Sequence, residues 1–376
     1  MGMTVVARRI EAGTPAGRDR AVDALRAVAI LGVVLGHWLV TALVATGGGV
    51  VVASPLSYLA GFTPVSWVFQ TLAVFFLVGG RVSTINRDVR YREWLVARLW
   101  RLVRPALVLL AVWAVVVAGL LLAGAGGRTV HTVLRLAVSP LWFLLVFAGL
   151  TAVTPLVARL HPGLPLLAVL VVDVVRLGLD GPAALGWINL AAGWLVPWCL
   201  GLRWARQPMM PRGYGWALLI GGAAATVALV HWAGYPASMV GVPGAFSNLN
   251  PPTLAAVTFG LAQCGAAMLL HGPLDRALRR APEAWAAVAL VNLSAMTIFL
   301  WHQTAMMAVT GLTLVTAGPL PGLHTLPDTP GWIAARLMWL PLFAAGLALC
   351  LLVFHRFGSA GGTEPPVRAT RAAGVG

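Results

Sequence analysis

The sequence predicts an all-α fold, a polytopic transmembrane helix bundle of about ten spans. Three observations lead there. Of 376 residues, 59% are hydrophobic and only 10% are charged, where a soluble domain carries about 25% charged residues. Apolar runs of about 20 residues recur along the chain. The basic residues, 26 in number and all Arg, fall mainly in the short stretches between those runs. The formal charge of +15 therefore reads as loop arginine beside membrane lipids and not as a nucleic-acid surface.

Residues 1–20 are polar and basic and read as a disordered cytoplasmic arm. Spans follow at about 22–46, 65–85, 105–123, 139–158, 164–180, 183–203, 214–234, 252–271, 285–314 and 333–356. The fifth carries Asp173 and Arg176, which at i and i+3 would neutralise each other. The ninth is overlong and should tilt, kink or extend past the bilayer. After the tenth span the Gly/Ala/Pro-rich stretch 358–376 reads as a disordered tail, leaving 21–357 as one membrane domain. No signal-cleavage pattern is present at the N-terminus, because Arg26 interrupts the first apolar run. With that terminus inside, 22 arginines lie on the inner side and only Arg128, Arg135, Arg176 and Arg336 on the outer. That asymmetry predicts that both termini are cytoplasmic. Cys199, Cys264 and Cys350 lack paired spacing and read as small buried hydrophobes, and no metal-ligand pattern is evident.

The chemistry concentrates on the first span. An α-helix advances about 100° and 1.5 Å per residue, so the step from Arg26 to His37 returns to within roughly 20° of one face, about 16 Å along the axis. Asp23 shares that face and is the expected partner of Arg26. Such groups are expensive in hydrocarbon, so the stripe should face the protein interior. Toward the same inner side, Arg98, Arg101 and Arg104 recur every third residue and read as one basic stripe. It suits a polyphosphate headgroup, and equally a positive-inside anchor on lipid phosphates. Gly79 and Gly80 would let a ligand approach the backbone, or let two helices pack closely. Toward the outer side lie His37, Trp142, the loop Ser247–Thr253 with Asn248 and Asn250, and Trp301-His302-Gln303. Each also has a structural reading: a histidine bonded between helices, interfacial Trp residues, and a turn ahead of a span.

These segments resemble the acyltransferase-3 family of integral membrane acyltransferases over residues 20 to 357. The first-span pattern, a basic residue, ten residues and a histidine, is supplied by Arg26 and His37 in VDALRAVAILGVVLGH. The second-span pattern FFxxSGF corresponds to FFLVGGR, with Gly79 and Arg81 as departures. An Arg-x-x-Arg motif occurs as Arg98/Arg101 and Arg101/Arg104, an LWFL element as Leu141–Leu144, and a late YLxH element as Phe299–His302. The variants look like an actinobacterial branch.

The resemblance implies a multi-pass protein of the bacterial cell membrane. It would move an acyl group, most simply acetyl, from cytoplasmic acyl-coenzyme A to a hydroxyl of a glycan, a lipid-linked sugar or a secondary metabolite. Acyl-coenzyme A would be a co-substrate, with no permanently bound cofactor. His37 would be the general base, with Arg26 and Asp23 completing the site. Arg98, Arg101, Arg104, Gly79 and Gly80 would hold the donor, and Trp142, Asn248, Asn250 and His302 would shape the acceptor pocket. The competing reading is a proton-coupled transporter, in which the His/Arg stripe serves a moving solute; that reading expects paired inverted repeats, and none is evident.

Overall fold

The computed structural model describes residues 3–84, 90–240 and 246–358. It is a helix bundle in which nine stretches of the described residues are long and apolar enough to cross a membrane. The elements run α1 (Met3–Ala12), α2 (Arg20–Val40), β1 (Ala42–Thr46), β2 (Gly49–Ala53), α3 (Val65–Val68), α4 (Leu72–Val82), α5 (Tyr91–Leu122), α6 (Gly127–Val138) and α7 (Leu141–Val157). They continue with α8 (Gly163–Asp173), α9 (Ile188–Arg206), α10 (Arg212–Trp232), α11 (Leu254–Arg280), α12 (Pro282–Leu293), α13 (Ala295–Ala317) and α14 (Pro330–Gly358).

Four elements depart from the sequence expectation. The N-terminal arm is not featureless: α1 packs against α12, Glu11 pairs with Arg20 at 2.6 Å, and Trp285 Nε1 donates to Thr14 Oγ1 at 2.9 Å. The first span stops at Val40. Ala42–Thr46 is instead a strand paired antiparallel with Gly49–Ala53, because β-branched residues flank a Gly-rich turn whose Gly49 takes φ +114°. The fifth span is a short helix, α8, that ends in a wide turn over Val174–Gly178. The overlong ninth is two helices, α12 and α13, parted at Ser294. The expected tail 358–376 lies, from residue 359, outside the described residues.

The central helix is α2. Asp19 caps its start by accepting from Val22 N at 3.1 Å, and at its end Thr41 N donates to His37 O at 3.1 Å. Around it pack α4, α11, α12 and α13, and α9 fits tightly against α4. Helices α5, α10 and α14 form a perimeter with outward apolar residues such as Val115, Ile220 and Leu352, the surface expected against lipid.

Two buried charges hold the bundle at depth. Asp173 is 1% exposed and accepts from Asn189 Nδ2 at 2.8 Å, Tyr235 OH at 3.0 Å and Leu254 N at 2.7 Å. Arg176 sits 3.9 Å from it, so neutral donors on three elements supply its hydrogen bonds and the i,i+3 pair is the looser contact. Arg336 is 1% exposed within α14. It donates to Trp38 O and Thr41 O at 2.6 Å each and to Gly322 O at 3.0 Å. A cation is thus set against the carbonyl-rich C-terminal end of α2.

Candidate active site

Two cavities lie along α2, one at each end. Arg18, Asp19, Asp23, Arg26, Arg98 and Arg101 line the first, of about 550 Å³. Its carboxylates are already engaged. Asp23 takes a bidentate ion pair from Arg18, Nε to Oδ2 at 2.6 Å and Nη2 to Oδ1 at 3.0 Å. Asp19 binds Arg81 at 2.9 Å and His271 Nε2 at 2.9 Å. Burial would raise the Asp19 pKa, but the hydrogen bonds from His271, Val22 N and Arg81 outweigh it and hold the carboxyl well below its usual range. Arg26, Arg98 and Arg101 therefore leave the chamber with an excess of positive charge. In place of the expected Asp23–Arg26 ion pair, Arg18 reaches both oxygens of the Asp23 carboxylate with two nitrogens of its guanidinium fork.

The other proposed donor residues divide. Arg98 is held by Ser83 Oγ at 3.0 Å and Val82 O at 2.6 Å, with its guanidinium 4.8 Å from the Trp94 ring centre. Arg104 is exposed and outside the chamber. Steps of three residues drift by about −60° each, so Arg104 has turned about 120° away from Arg98. Gly79 borders the chamber, but Gly80 does not. A Cβ on Gly80 would collide with the Trp198 carbonyl, and one on Gly201 with the Leu77 carbonyl; this pair lets α4 and α9 meet backbone to backbone. Arg81, the departure from the family pattern, stacks 4.0 Å over Trp204 as it pairs with Asp19.

The second cavity, of about 350 Å³, lies around His37 and Trp142. His37 is bound to His302 across the α2–α13 contact. His302 Nδ1 lies 2.7 Å from Phe299 O, His302 Nε2 lies 3.2 Å from His37 Nδ1, and His37 Nδ1 lies 3.0 Å from Val33 O. Carbonyl oxygens only accept, so His302 carries its proton on Nδ1 and offers a lone pair at Nε2. His37 then carries its own proton on Nδ1, shared between Val33 O and His302 Nε2. One tautomer of each neutral ring satisfies all three contacts, and it leaves His37 Nε2 as an unprotonated lone pair. Trp38 Nε1 donates to His302 O at 3.0 Å and fixes the two helices in register.

The asparagines expected at the acceptor pocket do other work. Asn248 is buried and donates to Pro236 O at 2.7 Å and Ser238 O at 2.9 Å, while its Oδ1 accepts from Thr253 Oγ1 at 2.9 Å. Asn250 is exposed. Their loop reaches the cavity through Leu249. Sequence reasoning missed Gln70, which also lines the His37 cavity, and the pairing of Phe143 with Phe299. A polar residue inside the apolar run VFQTLAVFF was the available signal for Gln70. Phe143 and Phe299 line both cavities, with ring centres 5.0 Å apart, and form the partition between them. Phe75 and Phe76 each brace Phe143 at 5.0 Å.

No curated protein and no solved structure gives a significant match to the chain. A family model described as an acyltransferase domain matches residues 19–355, a span that contains every lining residue of the two cavities except Arg18. The chain therefore belongs to the acyltransferase-3 family and is a membrane acyltransferase.

Proposed function

We propose that this protein transfers an acyl group from acyl-coenzyme A, acetyl-coenzyme A in the simplest case, to an acceptor hydroxyl in the cell membrane. The observation that carries the reading is the placement of a cationic chamber and a histidine cavity at the two ends of one helix, with Phe143 and Phe299 lining both. Coenzyme phosphates would sit against Arg26, Arg98 and Arg101, whose guanidinium groups suit phosphate oxygens. The rise of about 16 Å from Arg26 to His37 is comparable with an extended pantetheine arm, which would carry the thioester past the aromatic partition.

At the far end His37 Nε2 removes the acceptor proton as the alcohol oxygen attacks the thioester carbonyl. The carbon–sulfur bond then breaks and His37 returns the proton to the departing thiolate. His302 acts through His37: its Nε2 accepts from His37 Nδ1–H, which orients the ring and supports the positive charge it gains during transfer. The polar acceptor residue of this site is thus contributed by α13, and Trp142 stands at the cavity wall.

Labelled acetyl-coenzyme A and membranes containing the wild-type or His37→Ala protein test the reading. We expect transfer to fall by about 10²–10⁴, the usual contribution of a general base, with expression unchanged. Near-normal turnover in His37→Ala would remove His37 from the chemistry.

A further inference from the structure

The His37 cavity has an unusual polar inventory. Its walls come from α2, the chain from Pro55 to Leu72, α7, the Leu249 loop, α13 and α14, and they are apolar almost throughout, with Val40, Leu56, Phe62, Phe69, Ile333 and Leu337 among them. Two of its polar residues are already engaged. Ser66 Oγ donates to Thr63 O at 2.6 Å and accepts from Met239 N at 2.9 Å, and Ser139 Oγ donates to Leu136 O at 2.7 Å. Gln70 differs. It is 9% exposed, and its Nε2 is buried without a hydrogen-bond partner among the described residues.

Gln70 is brought to His37 by two glycines on α2. A Cβ on Gly32 would lie 2.6 Å from Thr71 Oγ1, and one on Gly36 would lie 3.0 Å from Phe69 Cβ. Thr71 Oγ1 donates to Ala29 O at 2.7 Å. Residues 69–71 therefore lie directly against the helix, with Gln70 between two points of close approach and one of them next to His37. A buried amide donor without a partner is costly in a native protein. Gln70 lines the same cavity as the unpaired lone pair of His37, and the two together point to a missing ligand.

The Gln70 amide and the indole N–H of Trp142 on one side and His37 Nε2 on the other make a small polar cluster in otherwise apolar walls, enough to hold a single hydroxyl group. A hexose would bring several hydroxyls into the same walls and leave most of them without partners. We propose that the acceptor is a largely apolar alcohol. Its hydroxyl donates to His37 Nε2 and accepts from Gln70 Nε2–H, and its hydrocarbon body fills the cavity toward Leu56, Phe62 and Ile333. This rests on the acyl-transfer reading above and narrows it. The reaction is balanced as alcohol plus acyl thioester giving ester plus free coenzyme thiol, with the hydroxyl proton passing through His37 Nε2 to sulfur.

The test uses the full chain in lipid nanodiscs with labelled acetyl-coenzyme A and either dodecan-1-ol or methyl glucoside. We expect the dodecyl ester and little acetylated glucoside. Gln70→Leu should lower kcat/KM for dodecanol roughly tenfold or more, and Ile333→Trp should raise the KM for dodecanol by filling the cavity. Preferential acetylation of the glucoside would overturn the proposal. A second measurement is independent of turnover: a diazirine-bearing alkanol, photolysed with the protein, should label the cavity walls, with dodecanol but not methyl glucoside competing. Saturable cavity labelling without any acyl transfer would keep the alcohol site and refute the acyl-transfer reading instead. Labelling spread over the lipid-facing helices, unaffected by Ile333→Trp, would refute the alcohol site.

Discussion

Arg336 shows what a single side chain does for the site. It is buried in an apolar helix and answers the carbonyls of Trp38 and Thr41, which α2 leaves without intrahelical donors. We expect Arg336→Leu to cost about 1–3 kcal/mol for each carbonyl left dry and to reduce acyl transfer by loosening the turn that carries His37. Wild-type melting together with wild-type transfer in that variant would show that the end of α2 holds its place unaided. His302 makes a different prediction, because it must accept a hydrogen bond at one position. His302→Gln keeps an acceptor oxygen and should retain more activity than His302→Leu, which we expect to lose roughly tenfold or more in kcat; equal losses in the two would assign His302 to packing. At this scale the sequence was partly legible. Helical spacing placed Arg26 and His37 along one helix and Arg98 and Arg101 beside the former. It misplaced Arg104, because a three-residue period drifts around a helix, and it could not choose the arginine partner of Asp23, which depends on where residues 14–19 turn.

Helix contacts carry the next set of consequences. Gly80 and Gly201 allow α4 and α9 to touch through backbone, so Gly80→Ala must push the helices apart against the Trp198 carbonyl. Overpacking of this kind costs about 1–3 kcal/mol, and we expect a lower melting temperature in detergent. An unchanged melting temperature would mean that the contact has slack. The same pair shows why Gly79 and Gly80 looked like one feature in the sequence: adjacent helical residues differ by about 100° in facing, so Gly79 reaches the cationic chamber while Gly80 meets the neighbouring helix. Hydropathy found the membrane-spanning material but misjudged its ends. It does not distinguish a helix from a strand of Val and Ala, which is how Ala42–Thr46 was absorbed into a span, and it ran through Ser294, where α12 gives way to α13.

Across the whole molecule, Asp19 ties distant parts of the chain together: the start of α2, Arg81 at the end of α4 and His271 on α11. Its folded-state pKa is held low, so its stabilising effect is complete above the unfolded carboxylate value of about 3.9 and is lost as the pH falls through the lower folded value. We expect Asp19→Asn to melt below wild type at pH 7, and the gap to narrow as the medium is acidified toward pH 3. A constant gap over that range would detach the effect from ionisation. The bundle and its family were legible because five motifs occur in order along the chain. The two chambers were not, since each is assembled from side chains that only packing brings together.

The aromatic partition has a consequence for the host membrane. The protein is hollowed from both ends, and Phe143 and Phe299 stand in the wall that the two hollows share. Removing both rings at once, as Phe143→Gly with Phe299→Gly, should let protons or small ions seep through proteoliposomes that the native protein keeps tight. The same two residues would then serve the cell as insulation, letting a thioester meet an alcohol while the ion gradient beside them stays intact.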